Sequence, residues 1–240
     1  MLTRKKILGL LALAAALLVP ATARAQDLDE RATISHLGSV QKHTRFGMGL
    51  RSQWVPNAGY DPFAKSNYLA AWTFEGSRVL LARRRLSLAV GALIDLGGSS
   101  SEARGAETHL GAHRFLVPIE GRYHVRPWLV GFARIAPGAM YMTASIAEAS
   151  AGQKLDDAGF VFAADASIGA AVLFDSRRNP DGHPPRLWAT GEWGYGWTAS
   201  RRWSFAPDEE DKVTGRAVPT DLGRVAFRGT FFRLGLALSF

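Results

Sequence analysis

Phe232-Arg233-Leu234-Gly235-Leu236-Ala237-Leu238-Ser239-Phe240 closes the chain. Counted back from Phe240, every second residue is large and apolar: Phe240, Leu238, Leu236, Leu234, Phe232. Between them stand Ser239, Ala237, Gly235 and Arg233, small or polar. Side chains alternate between the two faces of a strand, so this stretch builds a β-strand with one apolar face. An edge strand of a soluble sandwich and a strand in a membrane wall both carry such alternation. The rest of the chain decides between them.

The other end supplies the address. Met1-Leu2-Thr3-Arg4-Lys5-Lys6 is basic, thirteen apolar or glycine residues run from Ile7 to Val19, and Ala23-Arg24-Ala25 precedes Gln26. A basic start, a short apolar core and small residues before the cleavage point read as a secretory signal peptide over 1–25. A spanning helix needs about 20 apolar residues, so this segment is too short to stay as an anchor. With this leader in place, the phenylalanine-terminated last strand resembles the C-terminal assembly signal of bacterial outer-membrane β-barrels. The resemblance implies that Phe232, Leu234, Leu236, Leu238 and Phe240 are read by the barrel insertion machinery. It also implies an outer-membrane location with lipid and lipopolysaccharide as surroundings.

Composition fits that expectation. The chain has 240 residues, no cysteine and 25 glycines. The missing cysteine excludes a lipid-modified cysteine after the leader and a disulfide framework. A mean hydropathy of −0.03 is far from that of a helical membrane protein. It suits a wall in which lipid-facing and lumen-facing residues average out. The formal net charge of +8 falls to +4 once Arg4, Lys5, Lys6 and Arg24 leave with the leader. No basic stripe interleaved with aromatics appears, which argues against a nucleic-acid partner.

After a mixed polar segment over 26–42, a periplasmic lead-in with a short helix or an inserted plug as alternatives, residues 43–240 form one domain of alternating runs. Seven runs, at about 45–55, 67–82, 85–97, 108–125, 128–143, 158–175 and 186–200, precede the final strand. In the third, Leu86, Leu88, Val90, Ala92, Ile94 and Leu96 share a face opposite Ser87, Gly91 and Asp95. Gly98-Ser99-Ser100-Ser101-Glu102 begins a loop, and Arg83-Arg84 and Arg126-Pro127 make turns. The expected fold is all-β: an antiparallel, up-and-down transmembrane β-barrel of eight strands. Splitting the long second or sixth run would give ten. The polar segment at 176–185 is long for a periplasmic turn and is the weakest point of the count. An even number places both termini in the periplasm. The mature chain as a whole resembles the small eight-stranded barrels of the OmpA, OmpX and OmpW type. Because it stops at the barrel, no appended peptidoglycan-binding domain is expected.

An eight-stranded lumen is narrow and is filled by side chains. The inward phase carries Arg51, Glu120, Arg122, Arg134, Asp165, Glu192 and Arg233. The phase of the fifth run is ambiguous, and Arg134 is placed inward because a lipid-facing arginine at mid-bilayer costs about 2–4 kcal/mol. Counting from the periplasmic turns sets Arg51, Glu120, Arg134, Glu192 and Arg233 near one level, with Asp95, Asp165 and Arg122 at others. Glu192 beside Arg233, with Arg51 next along, is the expected pairing, since a guanidinium fork suits a buried carboxylate.

These charges read first as a structural plug and second as a gate or selectivity ring. A lipid-active barrel enzyme needs a histidine beside a nucleophilic serine with an acidic or amide partner. None of His36, His43, His109, His113, His124 and His183 sits in a His-Ser or His-x-Ser pairing. No catalytic, cofactor or metal site is therefore assigned, and no cofactor is implied. The acidic run Asp208-Glu209-Glu210-Asp211 lacks the spacing and glycine of a calcium loop and reads as a solvated outer loop. The leading expectation is a non-enzymatic surface barrel with a structural or loop-mediated role, its loop ligand open. A narrow channel for small or hydrophobic solutes is the alternative, and a lipid-active enzyme the third.

Overall fold

The computed structural model describes residues 44–103, 106–148, 153–174, 185–207 and 220–240. The leader and lead-in, most of the 176–185 segment, the 208–211 acidic run, His36, His43 and His183 lie outside the described residues. Among the described residues there are eleven strand segments: β1 Thr44–Trp54, β2 Tyr68–Arg83, β3 Leu86–Ala103, β4 Ala106–Leu116, β5 Ile119–Arg126 and β6 Leu129–Glu148. They continue with β7 Gln153–Leu173, β8 Arg186–Thr198, β9 Arg201–Pro207, β10 Thr220–Val225 and β11 Gly229–Ser239.

These segments make eight staves of one closed antiparallel ring. β4 and β5 both lie between β3 and β6. They are one stave interrupted at Val117-Pro118. Register runs through the break without an inserted residue, from Leu116↔Gly138 to Ile119↔Ile135. Pro118 has no N–H to give the ladder, and neither has Pro137 on β6. The local bonds rearrange instead: Val117 N–H donates to the Pro137 carbonyl at 2.8 Å and Gly91 N–H to that of Pro118 at 3.0 Å. β8 with β9, and β10 with β11, are likewise single staves with a short break. β11 pairs with β1 from Arg45↔Ser239 to Gln53↔Phe231, which closes the ring. The ten-strand alternative does not occur, because β2 and β7 run on without a break.

Alternation holds around the ring. Phe46, Trp72, Ile94, Phe115, Phe162 and Leu234 point outward and are exposed. Their neighbours in sequence point into the lumen. The first and last described residues lie at one end of the barrel, where Phe240 N–H donates to the Thr44 carbonyl at 3.0 Å. The opposite, distal end differs from expectation in two places. Gly98 to Glu102 is strand, not loop, and pairs with Gly111 to Glu107. Its glycines and serines carry no apolar signal, yet backbone ladder bonds need none. β6 and β7 have 20 and 21 residues, whereas crossing a bilayer takes about 9–11. The chain at the other end turns at Arg84-Arg85, one residue later than expected, with Arg84 at φ 52°.

The connection 55–67 folds inward over the distal mouth. Its 3-10 turn Asp61–Phe63 opens with proline near its N-terminus. Asn57 Oδ1 accepts from Gly59 N–H at 2.9 Å, and Thr108 Oγ1 donates to the Pro62 carbonyl at 2.6 Å. Phe63 reaches Trp203 and Phe205, and Tyr60 meets Phe227 edge-on at 5.8 Å. Val55, Tyr60 and Phe63 are fully buried.

Candidate functional site: the filled lumen

The lumen is divided along its length. Its distal half is apolar: Leu93, Leu110, Leu116, Met140, Met142 and Ala163 pack beneath the 55–67 cap. Its other half is charged. Six arginines (45, 51, 114, 122, 134 and 233) and five carboxylates (Glu75, Asp95, Glu120, Asp165, Glu192) interlock there.

The charges form two tiers. Nearer the end where Thr44 and Phe240 meet, Arg134 contacts Glu120, Glu75 at 2.9 Å and Glu192 at 3.1 Å. Arg45 reaches Glu75 at 3.3 Å and Glu120 at 3.2 Å, and Arg122 also holds Glu120. In the middle, Arg51 pairs with Asp165 and, at 2.9 Å, with Asp95. Arg114 donates to Asp165 at 2.7 Å, and Thr73 to Asp95 at 2.6 Å. Arg233 links the tiers, 2.7 Å from Glu192 and 3.6 Å from Asp95.

Arg51, Glu120, Arg122, Arg134, Asp165, Glu192 and Arg233 are all buried. Glu192 does pair with Arg233. Their arrangement by level is corrected. Asp95 and Asp165 sit in the same tier as Arg51 and are its partners, while Glu120, Arg134 and Glu192 belong to the other tier. Barrel strands tilt and their register staggers, so counting residues from each turn does not give a common height. Arg45, Glu75 and Arg114 are interior members that the sequence reading left out. Their signal was parity: each adjoins an outward aromatic, Phe46, Phe74 or Phe115.

Burying ions is costly unless partners and hydrogen bonds compensate. Most of these groups have two or more partners, which fixes the side chains and fills the bore. Among the described residues, cavities of about 30 Å³ and about 10 Å³ lie in this region. One water needs about 10–15 Å³, so neither is a conduit. The lumen is plugged by its own charges.

One pairing was not legible locally. Ser87 on β3 and His124 on β5 come within 3.1 Å, Oγ to Nε2. His124 Nδ1 has no partner, so the acidic or amide group that orients a catalytic histidine is missing from the pair. Among the described residues no group of three or more histidine, aspartate or glutamate side chains could hold a metal ion.

The fold and its interior thus define a closed eight-stranded β-barrel with a charge-filled lumen. No protein-family model matches the chain, and no curated protein matches it. Among solved structures it is similar to Ail, the attachment invasion locus protein of Yersinia pestis. That match has 9% identity and a TM-score of 0.47, covering 83% of this chain and 99% of that one. It is also similar to the outer membrane protease OmpT from Escherichia coli, at 8% identity and a TM-score of 0.47, covering 83% and 97%. A Pseudomonas aeruginosa FadL homologue matches at 11% identity with a TM-score of 0.23, covering 81% and 75%.

Proposed function

We propose that this chain is a non-enzymatic β-barrel of the bacterial outer membrane, with a structural or surface-interaction role and a closed lumen. One observation carries the reading: the wall is apolar outside and charged within, the inverse of a water-soluble protein. Lipid replaces water at Phe46, Met48, Leu50 and their outward neighbours, which are roughly half exposed. Only a closed barrel or a helix satisfies its backbone groups in that surrounding. Outward Trp54, Tyr68, Phe160 and Trp197 near the distal end, and Tyr123, Trp128 and Phe240 near the other, suit two interfacial girdles.

In this reading residues 1–25 are a cleaved leader and 26–42 a periplasmic lead-in. Both termini face the periplasm, and the distal loops face outward, toward lipopolysaccharide and partners outside the cell. The outward row Phe232, Leu234, Leu236, Leu238 and Phe240 serves the insertion machinery. The charge network Arg51, Glu120, Arg122, Arg134, Asp165, Glu192 and Arg233 serves as plug and internal brace.

The experiment is refolding of residues 26–240, proof of the barrel by its heat-dependent gel shift, and conductance in a planar bilayer. A folded barrel that passes no discrete current is expected. Steps that change on neutralising Arg233 would replace this reading with a gated pore.

A second reading, passage of hydrophobic solutes, has its own observation. Past the Ala199 N–H bond to the Phe162 carbonyl at 2.9 Å, no ladder pairing joins β7 to the β8–β9 stave until Asp156↔Ala206. The gap is bridged by side chains: Arg201 Nη2 donates to Asp157 Oδ1 at 2.6 Å and to the Ala158 carbonyl at 2.7 Å. Saturable binding of an apolar dye that Asp157→Ala strengthens would favour this reading over the closed one.

A further inference from the structure

A cavity of about 30 Å³ lies at the end of the barrel where Thr44 and Phe240 meet. Arg45, Arg122, His124, Ala171, Trp188 and Ser239 are among the residues around it. Among the described residues no carboxylate side chain lines it. Glu120, the nearest acid in the network, is already shared among Arg45, Arg122 and Arg134. Two buried nitrogens of the lining residues have no partner, Arg45 Nε and His124 Nδ1. Both side chains are nine-tenths or more buried, at 5% and 4% exposure. Trp188 Nε1 donates to Ser239 Oγ at 3.0 Å, which leaves the serine proton to be given elsewhere. The whole interior holds six arginines against five carboxylates among the described residues, an excess of one positive charge.

Excess charge in a low-dielectric interior is costly, and so are unmatched donors. A single anion in this cavity answers both. Charge selects the kind. A cavity of about 30 Å³ takes the place of two or three waters at about 10–15 Å³ each. That admits a halide, and an excess of one positive charge calls for a monovalent anion rather than sulfate.

We infer that the cavity between Arg45, Arg122 and His124 is a binding site for one compact monovalent anion of chloride size, which completes the charge balance of the lumen. The site depends on the interior geometry and not on the membrane reading, so either stands if the other fails. Anion binding to the folded state alone raises the unfolding midpoint in a saturable manner.

The test measures thermal unfolding of the refolded barrel in detergent at fixed ionic strength, replacing gluconate by chloride, bromide or sulfate. Chloride and bromide should raise the midpoint to a plateau, and sulfate and gluconate should not. Ala171→Leu fills the cavity while keeping both arginines, and should abolish the rise. Arg45→Gln should do the same by removing the charge. Line broadening of the chloride-35 resonance by the unaltered chain reads binding directly and needs no variant. A rise that persists in Ala171→Leu, an equal rise with sulfate, or no saturable chloride broadening would each overturn the inference.

Discussion

Phe231 stands between two cations. The Arg51 guanidinium lies 4.0 Å from its ring centroid and that of Arg233 lies 5.2 Å away. These arginines face each other directly across the β1–β11 ladder, a like-charge pair that is unfavourable by itself. The ring face and the surrounding Asp95, Asp165 and Glu192 make it tolerable. Removing Arg233 leaves Glu192 with Arg134 as its remaining guanidinium. We expect Arg233→Ala to cost about 3–5 kcal/mol. Exposed Glu102→Ala should stay within about 0.5 kcal/mol. Urea unfolding of both variants checks this, and equal losses would contradict the interior role. Tyr60 gives a pH prediction. Burial pushes its phenol up from the ordinary 10.0, so the folded state prefers the neutral form. Its contribution is complete below pH 10 and is lost as pH rises through the higher folded value. An alkaline stability scan should show a decline above pH 10 that is smaller in Tyr60→Phe, although this variant also loses the 3.0 Å bond to the Tyr68 carbonyl.

At the scale of elements, the closing ladder leaves no room for added atoms. A Cβ on Gly229 would lie 1.7 Å from the Trp54 carbonyl oxygen, and one on Gly49 2.3 Å from that of Leu234. Gly121 on β5 has nothing within 4 Å of such an atom. Gly229→Ala should therefore destabilise the barrel by at least the roughly 1–3 kcal/mol of ordinary overpacking, while Gly121→Ala changes little. The midpoint of the heat-dependent gel shift compares the two, and a Gly229→Ala barrel as stable as the unaltered one would refute the close approach. Strand existence and the face of each side chain were legible in the sequence because both depend only on a period of two. The break at Pro118 was not, since a proline within a central stave usually argues against a strand. The distal strand ends were not legible either. Gly98 to Glu102 pairs through its backbone, and nothing apolar marks the pairing.

For the molecule as a whole, two stoppers stand in series: the aromatic cap 55–67 over an apolar half, and the charged tiers beneath. Phe63 alone buries a full aromatic ring against Trp203 and Phe205. Phe63→Ala should cost about 3–5 kcal/mol if the cap does not collapse. Its barrel should still carry no current in a bilayer, because the charged tiers are untouched. Discrete steps from this variant would show that the cap by itself closes the lumen. The sequence by itself determined the antiparallel alternating strands, their apolar outward face and the presence of interior charge. These follow from alternation and from the cost of placing an arginine in lipid. Only the tertiary structure decided which charges meet. Partners such as Arg51 and Asp165 lie on strands far apart in the chain, and their common height is set by the tilt and stagger of the closed ring. The inward fold of 55–67 was likewise a tertiary decision. Tyr60 and Phe63 gain burial only where the mouth of an apolar lumen is there to receive them.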